Sequence, residues 1–98
     1  MTKRIPTTAS AVGVGNYERR KVAHAFGVTL QIMRRQQAVS QDRLSYRCGL
    51  DRTYPSLLER GLRQPTLSML LRIADALGVE PQVLLDGTLA QLRKEMPP

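Results

Sequence analysis

The 98-residue chain is long enough for one small domain, and its 42% hydrophobic and 23% charged residues are typical of an ordinary globular protein. Its 15 Lys and Arg against 8 Asp and Glu give a formal net charge of +7, as in proteins that bind a polyanion such as nucleic acid or, less often, an anionic membrane. No apolar run approaches the roughly 18 residues of a membrane span, and a single cysteine and a single histidine exclude an internal disulfide and leave little material for a metal site or histidine-based catalysis.

Basic residues are concentrated in the first two thirds of the chain. Residues 1–65 carry twelve basic and four acidic side chains, whereas residues 66–98 carry three basic and four acidic ones. Arginine outnumbers lysine by twelve to three, and its planar guanidinium is suited to phosphate groups and guanine edges. We therefore expect the first two thirds to face a polyanion and the last third to serve another purpose.

The N-terminal segment, residues 1–15, predicts a flexible basic arm, because Pro, Gly, Thr and Ser are mixed there without an apolar period. Asn16 is a candidate N-cap, and apolar residues follow at helical spacing over residues 17–37. Gly27 interrupts this run, so we predict a firm helix over 26–36 that is preceded by a looser turn or short helix.

A short helix over residues 41–48 begins the most informative part of the sequence. Ser40 is its candidate N-cap, and Gly49 ends it as a residue in the left-handed conformation. Cys48 lies on the same face as Leu44, where we expect a small buried hydrophobic side chain and not a redox sensor.

A second short helix follows over residues 52–60, with Asp51 as its N-cap and Gly61 as its stop. Pro55 is the fourth helical position, where its missing N–H forfeits the first intrahelical hydrogen bond, so we predict a distorted first turn. Two short helices joined through a glycine turn form a helix-turn-helix, here over residues 40–61.

The last third of the chain is also helical in pattern. Thr66 is the N-cap of an amphipathic helix over residues 67–77, which Gly78 ends. Pro81 opens a short helix that runs through Leu85. The following Asp-Gly-Thr stretch predicts a break before a last turn or two, and the absence of strand-like alternation predicts an all-α chain.

Residues 30–85 resemble the phage Cro and lambda-repressor family of helix-turn-helix DNA-binding proteins, also called the xenobiotic response element family. The segments that carry the resemblance are LQIMRRQQAVSQDRL (30–44), GLDRTYPSLLERG (49–61), QPTLSMLLRIADALGV (64–79) and PQVLL (81–85). The resemblance implies an all-α, compact five-helix domain over residues 16–85. It leaves the arm over residues 1–15 and a C-terminal tail over residues 86–98, a candidate dimerisation helix, outside that domain. Pro55 departs from the family pattern, which has Ile or Val facing the core at this position.

The resemblance also implies roles for the residues at matching positions, and the second helix of the motif is the recognition helix. The residues expected to contact base edges are Arg52, Thr53, Ser56, Leu57 and Gln41. The residues expected to contact the DNA backbone are Tyr54, Arg60, Arg63, Ser40 and Arg43. Gln41 is also expected to support the recognition helix. Arg34 and Glu59 match a structural ion pair that ties the first helix to the recognition helix in the family.

A single recognition helix covers only a few base pairs, and the family solution is a homodimer on a palindrome with half-sites roughly 34 Å apart. We therefore expect a sequence-specific transcriptional regulator, with a repressor role, that binds double-stranded DNA as a homodimer through helix 52–60 in the major groove. The candidate dimer surface consists of apolar residues near the C-terminus, whose alternative role is to complete the core. These residues are Val83, Leu84, Leu89 and Leu92.

The alternative function is that of an antitoxin or DNA-binding subunit that works mainly through a protein partner. An enzyme is not expected, because the sequence has no nucleophile–base pair, paired pocket carboxylates or phosphate-cradling glycine loop. We accordingly expect no cofactor, no metal, no membrane contact and no small-molecule substrate. The N-terminal segment is too polar for a secretory leader, so we expect a cytoplasmic protein associated with the nucleoid. The basic runs at residues 3–4 and 19–21 either reach DNA as an arm or are solvated.

Overall fold

The computed structural model describes residues 17–94, and within this range the chain is all-helical, as predicted. The helices are α1 (Arg19–Gln36), α2 (Gln41–Cys48), α3 (Tyr54–Glu59), α4 (Leu67–Leu77) and α5 (Pro81–Lys94). The predicted arm and the candidate N-cap Asn16 lie outside the described residues. The cap of α1 is Glu18, whose Oε1 accepts a hydrogen bond from the Arg20 backbone N–H at 3.2 Å.

Helix α1 is continuous from Arg19 to Gln36, so the predicted looser turn or separate short helix before residue 26 is wrong. Gly27 does not interrupt it but lies where α1 meets the end of α3. A Cβ atom at this position would clash with the backbone carbonyl oxygens of Leu58 and Glu59, the latter only 2.8 Å away. Gly27 therefore allows α1 and α3 to approach closely. The low helix propensity of glycine does not interrupt α1, because the packing of its buried residues, such as Ala23, outweighs it.

Helix α5 is also continuous, so the predicted break at residues 86–88 is wrong, and the boundary that we expected after residue 85 falls inside a helix. Thr88 is buried, and its hydroxyl donates a hydrogen bond to the Leu84 carbonyl oxygen at 2.8 Å. A Cβ atom at Gly87 would lie 2.5 Å from Cγ2 of Thr29, so this glycine marks the place where α5 crosses α1.

The core lies between α1, which packs against α3 and α5, and α4, which packs against α2 and α5. Its fully buried large side chains are Leu30, Leu44, Pro55, Leu58, Ile73 and Leu84. In residues 17–94, no helix combines the length and the hydropathy of a membrane span. The arrangement leaves α2 and α3 with one face packed on the core and the other exposed.

Candidate DNA-binding surface

The first helix of the motif begins and ends as predicted. The hydroxyl of Ser40 accepts a hydrogen bond from the Arg43 backbone N–H at 3.0 Å, which caps α2. Gly49 has a φ of 66°, the left-handed conformation that glycine adopts without steric cost. The turn is closed by a backbone hydrogen bond from the Leu50 N–H to the Ser45 carbonyl oxygen at 2.8 Å. These local bonds set the path of the chain into α3.

The recognition helix begins two residues later than predicted, at Tyr54 and not at Arg52. The Asp51 carboxylate accepts hydrogen bonds from the backbone N–H and the hydroxyl of Thr53, at 2.9 and 2.7 Å, and so holds residues 51–53 in a turn. These two bonds lower the pKa of Asp51. Because α3 begins at Tyr54, Pro55 occupies its first turn and forfeits no intrahelical hydrogen bond. The predicted loss of a bond is therefore wrong, and the buried Pro55 ring packs in the core.

A buried carboxylate ties the recognition helix to α1 and α2. The guanidinium of Arg34 donates to both oxygens of Glu59, from Nε to Oε2 at 2.6 Å and from Nη2 to Oε1 at 2.9 Å. The exposed fractions of the two side chains are only 11% and 2%. Arg34 also donates to the Val39 carbonyl oxygen at 2.8 Å, so one guanidinium holds α3 and the loop before α2. The structure thus places the two residues as an ion pair.

The amide of Gln41 completes this cluster from the first residue of α2. Its Nε2 donates to Oε1 of Glu59 at 3.0 Å, and Nε2 of Gln31 donates to the same oxygen at 3.4 Å. Burial by itself raises the pKa of Glu59, but the hydrogen bonds from Arg34, Gln41 and Gln31 and the charge of Arg34 leave it below its ordinary value of 4.5. The hydrogen bond to Glu59 raises the pKa of Arg34. Both groups are therefore charged at neutral pH, and Gln41 supports α3.

The outer face of the motif is polar and basic. Arg52 is exposed, and its Nε lies 3.3 Å from Oδ1 of Asp42, with exposed fractions of 82% and 66% for the two side chains. Such an exposed pair contributes little energy, so the Arg52 side chain is free to leave it for another partner. Thr53 is exposed beside it. The other predicted contact residues on this surface are exposed (Ser40, Arg43, Arg60, Arg63) or half-buried (Gln41, Tyr54, Ser56, Leu57).

The predicted dimer residues on α5 separate into two groups. Leu84 and Leu92 are buried within the chain, with exposed fractions of 0% and 4%, so they complete the core as in the alternative that we gave for them. Leu89 is half-buried, and Val83 is 44% exposed.

The sequence did not identify which apolar residues of α4 lie on the surface. Leu67 and Leu71 lie one turn apart on α4 and are both exposed. The helical period marks both as apolar, but it cannot say which apolar positions face outward.

Comparison with known proteins gives a consistent result. A family model for a helix-turn-helix domain matches residues 25–86. The control protein C.BamHI of Bacillus amyloliquefaciens is 45% identical over 58 residues, which are 59% of this chain and 72% of that protein. The crystal structure of the restriction-modification controller protein C.AhdI from Aeromonas hydrophila is 39% identical, with a TM-score of 0.62 over 63% of this chain and 94% of that chain.

A third similar protein was solved on DNA. The restriction-modification controller protein C.Esp1396I, as a tetramer in complex with its natural 35 base-pair operator, is 26% identical, with a TM-score of 0.67 over 74% of this chain and 95% of that chain. Since the family model covers more than half of the chain, the protein belongs to the helix-turn-helix family. Within that family it is similar to the controller proteins of restriction-modification systems.

Proposed function

We propose that this protein is a sequence-specific regulator of transcription that binds double-stranded operator DNA, with α3 in the major groove. The observation that carries the proposal is the buried Glu59 cluster. It fixes α3 against α1 and α2 while the other face of the motif stays exposed and basic. A recognition helix has to be held rigidly in this way if its side chains are to meet base edges in one register.

The division of labour between side chains follows from their positions. Arg52 and Thr53 lie in the turn immediately before α3, at the end of the recognition helix that meets base edges in this motif. Gln41, Ser56 and Leu57 are the other side chains that we propose for base contacts. The exposed Arg60 and Arg63 lie beyond the other end of α3, where they would neutralise phosphates and contribute affinity without sequence choice. Ser40, Arg43 and Tyr54 would contact the backbone of the duplex as well.

Selection of bound sites from a pool of random duplex DNA tests the proposal. We expect the pool to converge on one sequence made of two inverted half-sites, whose centres are about one helical turn apart. Methylation of guanine N7, which lies in the major groove of that sequence, should interfere with binding. Methylation of adenine N3, which lies in the minor groove, should not. A pool that stays random after repeated rounds, in low salt and at micromolar protein, would refute sequence-specific binding.

The inverted half-sites follow from a homodimer, which we also propose. Exposed apolar side chains are available on two helices, with Leu67 and Leu71 on α4 and Val83 on α5. Val83 and Leu85 have similar exposed fractions, 44% and 48%, so V83D and L85D make a matched pair of variants. Sedimentation should show a weakened dimer for V83D and an unchanged dimer for L85D. Equal behaviour of the two variants would contradict a dimer surface at Val83.

We propose that the bound dimer represses transcription, because a dimer on its operator would cover any promoter that overlaps that operator. A reporter gene placed behind the selected sequence should be expressed at a lower level when the protein is present. The variant R52A, which we expect to bind the operator more weakly, should raise expression again. An increase in expression with the unaltered protein would show activation instead.

A further inference from the structure

We propose that the basic first turn of α1, through Arg20 and Lys21, forms a second phosphate-binding surface that continues the one formed by Arg60 and Arg63. The inference rests on the proposed DNA-binding function and adds phosphate contacts from α1 to those from α3 and the loop after it. It concerns residues that precede the part of the chain covered by the helix-turn-helix family model. The partner is the phosphate backbone of the same duplex that α3 reads.

Two contacts bring the first turns of α1 to the loop that follows α3. Gly61 packs directly on the α1 backbone, because a Cβ atom there would lie 3.2 Å from Cα and 3.4 Å from N of His24. Val22 lines a small cavity together with Gln64 and Pro65 from the same loop. The first part of α1 is therefore adjacent to residues 61–65, the loop that carries Arg63 and begins next to Arg60.

The helical period places two of the basic residues on the side of α1 that meets this loop. Arg20 lies four residues before His24 and Lys21 lies three before it, so both share the face of α1 that Gly61 contacts, one turn further from the core. Both side chains are exposed. Together with Arg60 and Arg63 they place four positive charges around one junction between α1 and the loop.

These charges are only partly compensated within the described part of the chain, because one carboxylate, that of Glu18 at the N-cap of α1, lies beside three basic residues. The ion pairs found in residues 17–94 join Arg34 to Glu59 and Arg52 to Asp42, and neither Arg20 nor Lys21 takes part in one. The first turn of α1 contains no acidic residue, although the positive end of the helix dipole favours acids there. Glu18 caps this end of the helix, but the three successive basic residues after it leave an excess of positive charge that opposes the dipole and that an external polyanion would neutralise.

The salt dependence of DNA binding tests this inference. Each lost phosphate contact should reduce the slope of log K against log salt concentration by about 0.9, which corresponds to about eightfold weaker binding at 0.1 M salt. We expect this change for R20Q and for K21Q, with twice the change in slope for the double variant. The loss should be equal on the selected operator and on random duplex DNA, because phosphate contacts carry no sequence information.

Removal of an equal charge elsewhere provides the control. Lys94 is exposed at the end of α5, so K94Q has the same net charge as R20Q or K21Q without touching the junction. Helix content and melting temperature of each variant are measured first. The inference is overturned if R20Q, K21Q and the double variant match K94Q in affinity and slope, or if they lose affinity for the operator alone. In either case the operator selectivity of the unaltered protein, and its loss in R52A, would leave the proposed function intact.

Discussion

Replacement of Glu59 by glutamine should destabilise the protein strongly, because it breaks the buried ion pair with Arg34. The carboxylate accepts hydrogen bonds from Arg34 at 2.6 and 2.9 Å and from Gln41 at 3.0 Å, and its side chain is only 2% exposed. All its partners are donors, so the NH₂ group of a glutamine would face a donor while a buried guanidinium lost its counter-ion. The change thus combines a lost charge with an unsatisfied buried group.

The expected magnitude follows from burial. Breaking a buried ion pair by removing one partner costs about 3–5 kcal/mol, against a total stability of roughly 5–15 kcal/mol for a domain of this size. The melting temperature should fall by about 12 °C or more. Urea unfolding at pH 7, followed by circular dichroism, measures the difference in the free energy of unfolding between the unaltered protein and E59Q.

The exposed pair between Asp42 and Arg52 provides the matched control. The variant D42N also neutralises one carboxylate of an ion pair, but both side chains are more than half exposed, so the free energy of unfolding should change by less than about 0.5 kcal/mol. If E59Q were no more destabilising than D42N, the claim that the Glu59 cluster holds α3 in place would be refuted.

Three further predictions concern pH and packing. Because the pKa of Glu59 is lower in the folded protein than its ordinary value of 4.5, its contribution to stability is complete above that pH and is lost as the pH falls through the folded value. Urea unfolding between pH 6 and pH 3 should therefore show a smaller loss of stability for E59Q than for the unaltered protein. Parallel plots of the free energy of unfolding against pH would disprove this contribution of Glu59. The variant G27A should cost about 1–3 kcal/mol despite the better helix propensity of alanine, because its Cβ would meet two carbonyl oxygens of α3. G78A, which meets no atom within 4 Å, should show only the strain of its φ of 66°, about 1 kcal/mol, and equal costs would contradict the close approach at Gly27. L84A should cost about 2–5 kcal/mol and V83A less than about 1 kcal/mol in chemical unfolding, since only Leu84 is fully buried, and the reverse order would invalidate the assignment of α5 residues to core and surface.

Features that depend on neighbouring residues were predictable from the sequence. The caps of α2 and α4 are confirmed, because Ser40 and Thr66 accept the backbone N–H three residues ahead, at 3.0 and 3.2 Å. The glycines that end these helices, Gly49 and Gly78, both have a φ of 66°. Such bonds form within one turn of chain, so the residue types alone determine them.

Features that depend on distant residues were not predictable in the same way. Gly27 and Gly87 both have the residue type of a helix breaker, yet each allows two helices to approach closely, which local propensity does not register. The start of α3 was misplaced because Asp51 bonds to Thr53 in a turn before the helix instead of capping the helix itself. Periodicity marked Leu84 and Leu92 as apolar but could not distinguish a core position from a dimer surface.

We propose above all that the turn before α3, with Arg52, contacts base edges, and the binding of R52A to two kinds of DNA tests this most directly. Equilibrium titrations at one fixed salt concentration compare the unaltered protein and R52A on the selected operator and on random duplex of equal length. We expect R52A to lose about 1–3 kcal/mol of binding free energy on the operator, or roughly 5- to 150-fold in affinity, with little change on random DNA. Equal losses on the two DNAs, or no loss on either, would contradict it.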